Sequence, residues 1–156
     1  MKFTSIFFSL AGISLIQAAA VEKRTGSALT QAVAQSRLEA AGISSSSTGD
    51  CTDKTVKTCT SYDGLLSGTV AGAITLKGAC ACTLIITGGT ETGHASGTYS
   101  HANGYKLDIG KNTALNSYVT GTFTQIADRG DGYPQWKAAS GNIYCDEGSH
   151  WDITYY

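Results

Sequence analysis

Two short patterns carry the residues best suited to chemistry. In Ser100-His101-Ala102-Asn103-Gly104-Tyr105-Lys106-Leu107-Asp108 a histidine is followed by a glycine-containing turn and then by a carboxylate. In Glu147-Gly148-Ser149-His150 a carboxylate precedes a histidine by three residues. Asn-Gly is a strong turn signal, so the chain can double back and set His101 beside Asp108. Together the patterns supply three donors for a first-row metal, His101, Asp108 and His150, and one spare carboxylate, Glu147. A catalytic zinc site is built this way, from three N/O protein ligands with a fourth position left to water. Zinc brings the pKa of that water down to about 7, where a nearby carboxylate accepts its proton. Glu147 is therefore cast as the general base, since as a fourth ligand it would close the water's position. The plainer alternative is that these histidines are surface or hydrogen-bonded core residues. Each pattern is short, and the weight comes from their occurring together.

Other patterns are weaker. Asp152 shares a strand face with His150 and can orient a ligand. Trp151, with Trp136, Tyr155 and Tyr156, is a candidate for lining a substrate groove, although an aromatic on an alternating strand is more often core. Gly88-Gly89 with Gly93 lacks a following Gly-Lys-Ser/Thr and reads as a turn rather than a phosphate loop. Arg129-Gly130-Asp131 reads as a polar loop. No Gly-x-Ser-x-Gly elbow occurs, which weighs against a serine hydrolase.

The elements that must hold these residues follow from periodicity. Residues 27–41 are rich in Ala, Gln and Leu, with Leu29, Val33 and Ala40 on a rough helical face and Gly42 as a stop. The serine run from Ser44 reads as a flexible linker. A helix is expected over 62–77, weakened by its glycines. Residues 82–87 (CTLIIT) read as a buried strand. Residues 105–109 alternate, with Lys106 and Asp108 on the polar face. A helix is expected over 113–124, then strands at 136–139, 142–145 and 151–155. The fold class is α+β, a small, mainly antiparallel sheet with flanking helices.

The chain opens with Met1-Lys2, an apolar run to Ile16, and small residues at 18–20, which reads as a secretory signal over 1–20. Lys23-Arg24 then closes a dibasic processing segment at 21–24. Residues 25–49 form a helix and Ser-rich linker that is either a pro-segment or packed on the main domain, which spans 50–156. That domain is long enough to bury roughly two-thirds of its unfolded surface. Five cysteines in an oxidising compartment favour disulfides, and the odd number leaves one over. Cys51 and Cys59 can close a local loop; Cys80 and Cys82 share a face if they lie on a strand. From Asp50 onward seven Lys/Arg face ten Asp/Glu. No basic patch with interleaved aromatics occurs, so nucleic acid is not expected as a partner. Nor does a cationic amphipathic helix point to a membrane. A secreted, extracellular monomer is expected.

The segment ITGGTETGHASGTYSHANGYKLDI, followed by EGSHWDITYY, resembles the zinc D-Ala-D-Ala carboxypeptidase/dipeptidase family, whose fold is shared with hedgehog signalling domains. The likeness lies in a His-x-x-Gly-x-x-x-Asp pattern and a later Glu-x-x-His, and covers roughly 82–156. It implies one zinc on His101, Asp108 and His150, Glu147 as catalytic base, and peptidoglycan stem peptides or D-Ala-D-Ala dipeptides as substrate. Many members carry a substrate-binding arginine in the loop after the strand at 85–87, where this chain has Thr90-Glu91-Thr92. His94 lies in the right segment to act as a replacement donor or as a partner to a metal ligand. Two rivals to a peptidase stand: a secreted binding or effector module with a structural metal, and a disulfide-stabilised protein with none.

Overall fold

A computed structural model describes residues 26–156; the signal and dibasic readings at 1–24 lie outside the described residues. Three helices and seven strands follow in the order α1 (Gln31–Ala40), β1 (Ser44–Ser45), α2 (Ser67–Cys80), β2 (Ile85–Gly88), β3 (Lys106–Gly110), α3 (Thr113–Thr122), β4 (Thr124–Ile126), β5 (Gln135–Lys137), β6 (Ile143–Asp146) and β7 (His150–Thr154). The α+β class holds. The strands form one sheet in the order β1-β2-β3-β7-β6-β5-β4, antiparallel throughout except for the parallel β1–β2 pair, so the sheet is mixed.

Helix α1 begins at Thr30, whose side chain accepts from the Val33 amide, as an N-cap residue should. It ends where Gly42, at φ +71°, donates to the Glu39 carbonyl and Ile43 to that of Leu38, a Schellman closure. The buried face is Ala34 and Leu38, which join the core together with Ile43. Val33 is exposed, so the expected face is rotated. The serine run is no free linker: Ser44 and Ser46 donate to the Leu84 and Ile86 carbonyls, adding β1 to the sheet edge.

The helix expected over 62–77 starts later, at Ser67, because Gly64 turns the chain at φ +86° and Leu66 is still extended. Its glycines have a use. A Cβ on Gly72 would collide with the ring of Tyr155, so only glycine lets α2 lie against β7's end. The strand expected from Cys82 starts at Ile85, since Cys80 and Cys82 are disulfide-bonded across the left-handed Ala81 that ends α2. A second disulfide joins Cys51 to Cys59. Cys145 is left free and buried.

The two central strands divide core from site. Leu107 pairs with Ile153 and Ile109 with Trp151; all four are fully buried against the helices. Each such side chain contributes about 1.5–3 kcal/mol on burial. The alternate pair on the opposite face is Asp108 and Asp152, directly across from one another. Like charges placed so destabilise a sheet, so something must compensate them. No described helix is long and apolar enough to cross a membrane.

Candidate metal centre

The polar face of β3 and β7 floors a cavity of about 550 Å³. Each group enters it for a local reason. Asp108 and Asp152 do so by strand alternation. His101 sits in a turn closed by Gly104, which is at φ +78° and donates to the His101 carbonyl. That turn brings His101 Nε2 to 3.3 Å from Asp108 Oδ1 and 3.6 Å from Asp152 Oδ1. Glu147 and His150 flank the β6–β7 hairpin turn, where the Glu147 amide donates to the His150 carbonyl. His150 Nε2 lies 3.5 Å from Asp108 Oδ1 and 3.2 Å from Glu147 Oε2. Gly88, read as a turn residue, is the last residue of β2, where a Cβ would strike the Asp108 carboxylate.

His101 Nδ1 donates to the Gly89 carbonyl at 2.7 Å, which leaves Nε2 facing both aspartates. Asp108 Oδ1 and Asp152 Oδ1 are buried and have no hydrogen-bond partner. Buried carboxylate oxygens are rarely left so. Burial works against a charged His101, but Asp108 and then Asp152 override it and push its pKa up to about 9. Asp152 is likewise opposed by burial, and His101 and Lys106 together hold it well below the usual carboxylate range. Its Oδ2 accepts from Lys106 Nζ at 2.6 Å and from Arg129 at 2.9 Å.

His94, His101 and Asp108 offer ligand atoms that all lie within 4.8 Å of one another, a group that can hold a metal ion. The rings of His94 and His101 are stacked, centroids 3.8 Å apart and 15° from parallel. Their in-plane lone pairs therefore run in nearly parallel planes and do not converge on one point. His101 and His150 each approach Asp108 Oδ1, although His150 does not join the group whose ligand atoms all lie within 4.8 Å. Zinc bonds of about 2.0–2.1 Å put tetrahedral ligands about 3.4 Å apart, close to the 3.3 and 3.5 Å separations from Asp108 Oδ1. The charge also fits. Lys106 and Arg129 face Asp108, Asp131, Glu147 and Asp152 around the cavity. Once an ion displaces the His101 proton, that is two positive charges against four negative, which one divalent cation balances.

Trp151 is corrected. It lies on the helix-covered face, fully buried, with its indole N–H on Asn116 Oδ1, and lines no part of the cavity. Arg129 and Lys106 are the residues that local spacing did not assign. Lys106 was legible as a neighbour of Asp108 on the polar face. Arg129 was not, because it arrives from the β4–β5 loop and only the fold brings its guanidinium to Glu147 Oε1 at 2.6 Å and to Asp152. Asp131 and the Tyr133 ring hold it from the other side. Glu91 does not face substrate space; it is buried beneath His94. Comparison with protein-family models, with curated proteins and with solved structures finds no match to this chain.

Proposed function

We propose that the chain is a secreted zinc metallopeptidase of the hedgehog/DD-peptidase type that hydrolyses peptidoglycan stem peptides at D-Ala-D-Ala-type or related bonds. The observation that carries this reading is Asp108 Oδ1, buried without a hydrogen-bond partner between His101 Nε2 and His150 Nε2. His101, Asp108 and His150 would hold one zinc. When bound, zinc supplies a Lewis acid that polarises a peptide carbonyl and acidifies water.

The remaining roles fall to the chain's own groups. Glu147, beside His150 at the cavity mouth, takes the proton of the attacking water and passes it to the departing amine. Arg129 grips Glu147 Oε1 and leaves Oε2 turned toward His150, so the base is held in one orientation. Asp152 anchors Lys106 and Arg129 together and faces His101. An arginine at the cavity thus exists, supplied from a different loop than the resemblance leads one to expect.

The test is zinc content by mass spectrometry together with amine release from defined muropeptides. Wild type should carry one zinc per chain and release amine; Glu147→Ala should keep the zinc and lose the release. Zinc-loaded wild type releasing no more amine than Glu147→Ala refutes the enzyme reading.

A further inference from the structure

Glu91 carries a network that the proposed reaction does not use. Its side chain is 3 % exposed. One oxygen accepts from the Ser61 amide at 2.7 Å, both accept from the Gly89 amide at 3.0 Å, and Oε1 accepts from His94 Nε2 at 3.0 Å. A carboxylate only accepts, so His94 Nε2 carries a proton, and Nδ1 lies 3.8 Å from Asp108 Oδ2. The Gly89 amide is fixed by Glu91 on one side of the peptide unit sequence, and the Gly89 carbonyl receives His101 Nδ1–H on the other. The His94 ring so fixed lies flat on the His101 ring. Two routes therefore lead from one buried carboxylate to His101: a hydrogen-bonded route through Gly89 and a stacked route through His94.

The two routes are complementary: the Gly89 carbonyl sets which nitrogen of His101 carries the proton, and the stacked His94 ring fixes the plane in which the other points, toward Asp108 at 3.3 Å. A metal-ligating histidine depends on such an outer partner for its tautomer and ring orientation, and losing it typically weakens metal binding about 10–100-fold. We propose that Glu91 is the positioning residue of the metal centre, fixing the tautomers of His94 and His101 so that His101 Nε2 is presented to the ion. This rests on the metallopeptidase reading above. It gives Glu91 a task inside the wall of the cavity, beneath His94.

Glu91→Gln tests it, because the amide keeps the shape and one acceptor but replaces the other with a donor facing donors. Zinc affinity should fall about 10–100-fold by competition with a chromogenic chelator. The visible spectrum of the cobalt(II)-substituted protein should also change, a readout that loss of stability alone does not move. Wild-type zinc affinity within twofold and an unchanged cobalt spectrum in Glu91→Gln overturn the proposal. Should that variant not fold, imidazole ¹⁵N spectra of the zinc-loaded wild-type chain decide: the proposal requires protons on His94 Nε2 and His101 Nδ1, and the opposite tautomer at either ring overturns it. Wild type that takes up no zinc overturns both readings. Wild type that binds zinc and hydrolyses peptide while Glu91→Gln does both equally well overturns this one alone.

Discussion

The metal-free chain should lose stability as pH rises from 6 to 8.5, a direction opposite to that of a protein held by salt-bridged carboxylates. The perturbation acts on His101, whose pKa is pushed up to about 9 in the fold, against an unfolded value of 6.5. A raised pKa stabilises the fold fully below the unfolded value, and that stability is lost as pH climbs through the folded one. The linkage gives about 3 kcal/mol at pH 6 and about 1 kcal/mol at pH 8.5, so ~2 kcal/mol disappears across the window. Urea denaturation of chelator-treated protein at half-unit steps measures it. Above pH 8.5 Cys145, which burial pushes up to about 11, adds a loss of the same sign, so the window stops there. Added zinc should reverse the slope, because an ion that takes the place of the His101 proton binds more tightly as that proton leaves. His101→Asn should flatten the apo slope. Apo stability that is flat or rising between pH 6 and 8.5, or a slope unchanged in His101→Asn, refutes the reasoning.

Three further outcomes follow from packing and contacts. Gly72→Ala gains about 1 kcal/mol of helix propensity but drives a methyl into the Tyr155 ring; a net destabilisation of about 1–3 kcal/mol is expected, read as a lower Tm. Arg129→Ala should keep its zinc and lose about 10–100-fold in rate, since it frees Glu147 and Asp152 together. Lysine should not restore it, because one ammonium does not span the two carboxylates as a guanidinium does. Cys145 is 2 % exposed and should resist iodoacetamide in the native state and react once denaturant is added, which mass spectrometry reads directly.

Period-two alternation made the site face of β3 and β7 legible: Lys106 and Asp108 on one strand, His150 and Asp152 on the other. The same alternation already placed Trp151 with Ile153 and so on the core side, a pairing that outweighs the general fitness of tryptophan for a groove. The Asn103-Gly104 turn is local, and its effect on His101 could be read from adjacent residues. What could not be read depends on long-range pairing. Ser44 and Ser45 form a strand by backbone bonds to β2 alone, with no side-chain pattern to announce it. The boundary of α2 is set by the turn at Gly64, and the fit of Gly72 by a tyrosine at the far end of the chain. Arg129 reaches Glu147 and Asp152, and Glu91 the Ser61 amide, only through the folding of loops, and nothing in their own segments states those destinations.

The pairing of β3 with β7 has a mechanical meaning. Asp108 stands on one of these strands and His150 on the other, opposite Gly110. An ion held by both is a rivet driven through the seam between the β1–β2–β3 and β7–β6–β5–β4 halves of the sheet. Riveted, the seam opens only when the ion is released, so amide hydrogens along β3 and β7 should exchange at a rate governed by metal off-loading. Stripped, the same amides should report the local fraying of two strands that carry facing negative charges at their middle.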